Sequence, residues 1–153
     1  MFRANIFSMF GSLARALPCE LVTFFCTLGT WILSCGLIAI GFLCFYDPFY
    51  AANLFGLPLS PLTAGARGFV EALGLRDAAL GAITLALHRS RRDALHFIVL
   101  AVFFVPLGDA IITYRRARRV VACVPHCAGA SCVGILWLLL LIQRQQRPLE
   151  KRR

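Results

Sequence analysis

The chain has 153 residues, of which 59% are hydrophobic and 15% are charged, below the roughly 25% charge of an average soluble domain. Its 16 lysines and arginines outnumber seven acids, for a net charge of +9. These cations stand in short clusters between long apolar runs, which is typical of membrane-protein loops and argues against a nucleic-acid-binding groove. We therefore expect a lipid bilayer, and no nucleic acid, as partner.

Residues 1–20 precede the long apolar runs and contain no acid before Glu20. Arg3 and Arg15 flank apolar residues that recur at helical spacing, namely Phe2, Ile6, Met9 or Phe10, Leu13 and Leu17. This pattern predicts a short amphipathic helix on the membrane surface. An import presequence is the alternative, since it is also rich in arginine and poor in acids.

Residues 21–46 contain no charged side chain and exceed the roughly 20 residues needed to cross a bilayer. They predict the first membrane span, which ends at Asp47-Pro48. The connection that follows, residues 47–66, holds three prolines and two glycines, so the sequence predicts no regular helix there. Its apolar and aromatic residues suit a lid-like segment folded against the mouth of the bundle.

Three further apolar segments, separated by short basic turns, predict membrane spans at residues 67–88, 94–114 and 123–142. A polar tail follows at residues 143–153, and we expect it to be disordered. The sequence thus predicts an all-α fold, an integral membrane four-helix bundle over residues 21–142. Most cations lie on the side of the two termini. Both termini are therefore expected to be cytoplasmic. We expect a multi-pass protein of the endoplasmic reticulum.

The second span carries charges that are costly in hydrocarbon. On a helical wheel, Glu71, Gly74, Asp77 and Gly81 share one stripe about 120° wide, so we expect this stripe to face neighbouring helices. Arg76 falls off the stripe. The wheel therefore predicts that Arg76 and Asp77 are not simply each other's counter-ion, although the long arginine stem allows Arg76 to bend to a neighbour or reach the interface.

Other ionisable groups are expected at the same depth. Asp77 precedes the turn near residue 91 by about as many residues as Asp109 follows it, so their depths differ by only about 6 Å. Glu71 matches Asp109 more closely still, and His126 opens the fourth span at this level. The predicted site is Glu71, Arg76, Asp77, Asp109 and His126, near the non-cytoplasmic mouth.

Two interpretations of these charges remain open. In the structural one, Arg76 neutralises an aspartate and locks the helices together. In the catalytic one, Asp77 and Asp109 form an acid–base pair, in which one protonates a substrate oxygen while the other activates water or removes a proton. Arg76 would then hold one carboxylate ionised or bind a developing oxyanion. Glu71 and His126 are second choices for the same chemistry.

No cofactor or metal is predicted. The run CVPHC with Cys132 offers three thiols and an imidazole, but its spacing matches no strong zinc motif. An odd total of seven cysteines also argues against a disulfide framework.

Several short motifs resemble a family of small four-span membrane proteins of filamentous fungi, catalogued as a domain of unknown function and similar to DoxX-type proteins. The motifs are Phe55-Gly56-Leu57-Pro58, Gly74-Leu75-Arg76-Asp77 with Gly81, Gly108-Asp109-Ala110, and His126. The resemblance covers roughly residues 30–142. It implies a fold and a setting in secondary-metabolite pathways rather than a reaction.

The working hypothesis is an accessory enzyme of fungal secondary-metabolite biosynthesis. It would cyclise, isomerise or open an epoxide of a lipophilic polyketide or terpenoid, alongside other pathway enzymes. The alternatives are a non-enzymatic membrane scaffold or assembly protein, and a small carrier subunit. The carrier would need a homo-oligomer, a state the sequence leaves open.

Overall fold

The computed structural model describes residues 17–56 and 63–150, except for the side chains of residues 117 and 147–150. The surface helix predicted for residues 1–20 lies almost wholly outside this part of the chain. The described residues form five α-helices and one 3₁₀ turn at Val120–Cys123. The helices are α1 (Cys19–Tyr46), α2 (Pro48–Leu54), α3 (Ala64–Ser90), α4 (Leu95–Ala117) and α5 (Val124–Glu150).

The described part of the chain is all-α, as predicted, and contains no strand. Three of its segments are long and apolar enough to cross a bilayer: Cys19–Tyr46, Leu95–Arg116 and Val120–Gln146. They make this a multi-pass membrane chain. Helix α3 has similar length but is less apolar, because four charged residues occupy its first half, namely Arg67, Glu71, Arg76 and Asp77.

Helices α1 and α3 pack antiparallel with their backbones almost in contact. A Cβ atom on Gly41 would lie 2.6 Å from Ala78 Cβ and 2.7 Å from the Gly74 carbonyl oxygen. A Cβ atom on Gly81 would lie 2.7 Å from the Ser34 carbonyl oxygen. The glycines predicted to face a neighbouring helix therefore do so, and that neighbour is α1.

Helices α4 and α5 form the second close pair. Their apolar residues meet α1 in a core that includes Val99, Val102, Val133 and Leu136. Small residues on α5 again permit the contact, because a Cβ atom on Gly134 would lie 3.1 Å from Phe103 Cε2. The four long helices thus alternate in direction along the chain.

The expectation that no regular helix forms in residues 47–66 is wrong for its first part, because α2 occupies Pro48–Leu54. Pro48 stands in the first turn, where a missing backbone N–H costs nothing. The Asp47 carboxylate accepts a hydrogen bond of 2.9 Å from the Tyr50 N–H and caps the helix. Buried Ala51 and Ala52 pack in one cluster with Cys44 of α1 and Val70 of α3.

The expectation of disorder from residue 143 onward is also wrong for the described residues, since α5 continues to Glu150. Gln143 Nε2 donates to Thr23 Oγ1 over 3.1 Å, and Gln146 Nε2 donates to the Leu17 carbonyl over 3.0 Å. The polar composition of this segment suggested a free tail. Its amides are instead buried against the start of α1.

Candidate functional site

One guanidinium joins the two aspartates of the predicted site. Arg76 Nε donates to Asp77 Oδ1 over 2.8 Å within α3. Its Nη1 and Nη2 atoms lie 3.4 Å and 3.2 Å from the Asp109 carboxylate oxygens on α4. The arginine fork therefore links α3 to α4 and spans both carboxylates.

This geometry corrects the wheel prediction that Arg76 points away from Asp77. The wheel gives the direction of the Cα–Cβ bond only. The long arginine side chain bends back from this direction. Its Nε atom therefore reaches Asp77 on the glycine stripe, and its terminal nitrogens reach Asp109 on α4. Arg76 therefore faces inward and is the counter-ion of both aspartates.

The three side chains differ in exposure. The Asp77 side chain is 5% exposed, that of Asp109 is 18% exposed and that of Arg76 is 33% exposed. One positive charge therefore faces two carboxyl groups.

A cavity of about 320 Å³ borders this cluster. It is lined by α1, α4, α5 and the end of α2, and α3 contributes the Asp77 side chain. Its lining runs along α4 from Val102 to Asp109 and along α5 from His126 to Val133. Seven residues of helix correspond to about 10 Å, so the cavity is an elongated slot, and we call it the slot below.

The slot is polar at one end only. Of the described residues that line it, three can ionise, namely Asp77, Asp109 and His126. Apolar side chains form the remaining walls, among them Leu33, Leu37, Ile40, Val102, Val105 and Val133. The slot therefore suits an apolar molecule that carries an oxygen function at one end.

His126 lies at the polar end but has a different partner from the one predicted. Its Nε2 atom lies 3.1 Å from the Phe55 carbonyl oxygen, and Thr113 Oγ1 donates to the same oxygen over 3.2 Å. The Phe55 and His126 rings stack at 6.2 Å. Because a carbonyl only accepts, the network assigns the proton to Nε2. We call this arrangement the Phe55 clasp.

The clasp places the end of α2 over the slot, since Leu54 and Phe55 both line it. This supports the predicted lid-like role for the described part of the connection. The sequence reasoning missed Thr113, which is 2% exposed and lies one turn after Asp109. The glycine at position 56 was a sequence signal for a tight turn after Phe55. In the structure Gly56 has a φ of 71°, and this turn directs the Phe55 carbonyl inward.

Glu71 does not join the site. Its carboxylate accepts a hydrogen bond of 2.9 Å from Arg67 Nε, one helical turn earlier on α3. Its depth was predicted from residue counting, but it does not line the slot. The nearby arginine on the same helix face provides a closer partner than Asp109.

The cysteines do not gather into a ligand set. Cys123 Sγ donates to the Ala110 carbonyl over 3.4 Å, whereas Cys127 and Cys132 are exposed on α5. Within residues 17–56 and 63–150, no three metal-ligating side chains converge. The chemistry that the arrangement offers is therefore that of two carboxyls, an arginine and an imidazole.

Comparison with known proteins places the chain in a family. No curated protein and no solved structure matches it. A family described as a domain of unknown function (DUF4267) matches residues 34–141, which include the aspartates, Arg76, His126 and the Phe55 clasp. The fungal distribution and the DoxX-type likeness stay predictions. Because the match covers more than two thirds of the sequence, the chain belongs to the DUF4267 family.

Proposed function

We propose that this chain is a membrane-embedded enzyme that binds a lipophilic molecule in the slot and performs acid–base chemistry on its oxygen function. The observation that supports the proposal is the position of Asp77, a carboxylate with 5% exposure that borders an apolar cavity together with Asp109. Charges that serve packing alone need no open volume beside them.

The proposed chemistry uses one protonated and one ionised carboxyl. The protonated carboxyl donates its proton to the substrate oxygen as a carbon–oxygen bond breaks, for example in an epoxide. The ionised carboxyl takes a proton from the attacking water or hydroxyl as the new carbon–oxygen bond forms. One carboxyl loses a proton and the other gains one, so the pair again holds one proton and no redox partner is needed. Arg76 stabilises whichever carboxylate is ionised.

The volume and polarity of the slot support a proposal for the substrate class. A volume of about 320 Å³ is near the lower end of small-molecule sites, and it holds roughly ten to fifteen non-hydrogen atoms at liquid-like density. We propose a terpenoid or polyketide intermediate of secondary metabolism that is cyclised, isomerised or hydrated at an epoxide.

The proposed setting is a four-span bundle in the endoplasmic reticulum with both termini cytoplasmic. Helix α3 would be the fourth span. Its length, its glycine contacts with α1 and the inward pairing of Arg76 with Asp77 support this placement. The arginines in the turn between α3 and α4 support the orientation.

One observation favours a second candidate, a non-enzymatic membrane scaffold. Because Arg76 pairs with aspartates on two helices, the charges also serve to fix α3 against α4. In this case the carboxylates would matter for folding and not for turnover.

The two candidates are separated by Asp109→Asn and Asp77→Asn in a host strain that lacks the native copy. Metabolite extracts are compared by mass spectrometry, and membrane abundance is measured by immunoblot. We expect Asp109→Asn to lose the product while its abundance stays near wild type. Full turnover by Asp109→Asn would overturn the enzyme proposal, and product loss proportional to lost abundance in both variants would support the scaffold.

A further inference from the structure

Within residues 17–56 and 63–150, several residues that line the slot are exposed. Two of its lining residues on α1 face outward: Ile32 is 64% exposed and Gly36 is exposed. Pro125 on α5 is exposed as well, whereas Val102 and Val133 at the back are buried. The opening therefore lies between α1 and α5.

The opening begins near the middle of α1. Towards the start of this helix, α1 and α5 touch through Thr23 with Gln143 and through Gly29 with Leu136. The slot begins at Ile32, the midpoint of the 28-residue helix Cys19–Tyr46. If α1 crosses the bilayer, the opening starts near the membrane centre and extends through one leaflet, towards the end that carries α2.

Leu54 and Phe55 line the end of the slot near α2, and the Phe55 carbonyl is held by both Thr113 and His126. A molecule that approached from the aqueous side would meet this clasp. A molecule already in the bilayer meets the open side between α1 and α5.

We propose, on the basis of the function proposed above, that the substrate is an amphiphile that enters sideways from the leaflet at the α2 end. Such a molecule places its oxygen at the interface and its apolar part towards the bilayer centre. The slot has the same polarity, with Asp109 and His126 near the α2 end and Val102 and Val133 near the centre. The substrate can therefore enter in the orientation that it already has in the bilayer.

Two glycines make this route testable. A Cβ atom on Gly36 would meet nothing within 4 Å, and one on Gly129 would meet Pro106 Cβ at 3.9 Å. Both residues line the slot. A Cβ atom is therefore accommodated at both positions, and we expect a phenylalanine at either one to fill the opening. Gly68 on α3 is a matched control, because its Cβ would also meet nothing and it does not line the slot.

The test measures binding and not turnover. Purified full-length protein in lipid nanodiscs is incubated with a photoreactive fatty alcohol, and labelling is quantified against concentration. We expect Gly36→Phe and Gly129→Phe to bind at least about tenfold more weakly, Gly68→Phe to bind like wild type, and wild-type labels to map to α1 and α5. Thr113→Val, which loosens the clasp, should leave the rate of labelling unchanged.

The outcomes separate this inference from the proposed function. Normal binding by both glycine variants, or faster labelling of Thr113→Val, would overturn the sideways route. The proposed function would still be tested separately by the turnover of Asp109→Asn. Weak binding by both glycine variants, together with full turnover by Asp109→Asn, would keep the route and reject the acid–base chemistry.

Discussion

Arg76 on α3 and Asp109 on α4 are separated by 33 positions in the chain, yet their Nη2 and Oδ2 atoms lie 3.2 Å apart. This contact ties the two helices together at the polar end of the slot. It also means that the chemistry and the packing of this end depend on one guanidinium.

Replacing Arg76 with alanine should therefore destabilise the protein. The change leaves the nearly buried Asp77 without its counter-ion, and we expect a loss of about 1–3 kcal/mol because Arg76 itself is partly exposed. Arg76→Lys should recover only part of this, since an ammonium cannot span both carboxylates. Thermal unfolding in detergent measures the effect. Arg67→Ala is the control, because its exposed pair with Glu71 is worth no more than about 0.5 kcal/mol.

Glu71→Gln should leave turnover and membrane abundance close to wild type. Its carboxylate binds the exposed Arg67 of the same helix and does not line the slot. Metabolite analysis in the same host used for Asp109→Asn provides the measurement. Loss of product in Glu71→Gln, with normal abundance, would indicate that Glu71 takes part in catalysis. This result would contradict its position outside the slot.

Gly81→Ala should weaken the contact between α1 and α3. The added methyl group would lie 2.7 Å from the Ser34 carbonyl oxygen, so the two helices must move apart. We expect a cost of about 1–3 kcal/mol, as for other overpacked positions. The midpoint of thermal inactivation in detergent reports it. Gly68→Ala adds the same methyl group in open space and should change little, and equal effects of the two variants would argue against close helix packing.

Thr113→Val should loosen α2 while leaving the helix packing intact. It removes one donor to the Phe55 carbonyl, at a cost of about 1 kcal/mol. Hydrogen–deuterium exchange within Pro48–Leu54 should become faster. Thr84→Val makes the same substitution at a hydroxyl that bonds the Leu80 carbonyl of its own helix. Exchange in α2 that is unchanged in Thr113→Val would show that the clasp does not hold this segment.

Residue counting along the helices placed Asp77, Asp109 and His126 at one level, because helical rise and a short turn leave little freedom in depth. The same counting included Glu71, whose partner in the structure is Arg67. The choice between two partners at one depth depends on the helix face, and on charged neighbours that a count does not weigh.

Two other errors have a common cause. Pro48 was treated as a helix breaker, although in the first turn of a helix it is harmless. Gln143 was assigned to a polar tail, although its amide pairs with Thr23 on a distant helix. In both cases composition was considered without position or tertiary partner, and the tertiary contact decided the outcome.

The glycine contacts between α1 and α3 have a consequence for motion. Where backbones meet at Gly41 and Gly74, no side chain can change rotamer to let one helix slide past the other. Helix α5 instead meets α1 through flexible side chains such as Leu136. The α1–α3 side of the slot is therefore more rigid than the side formed by α5. Asp77 lies on the rigid side. We expect the motion that adapts the slot to molecules of different shape to occur in α5, the helix that carries His126.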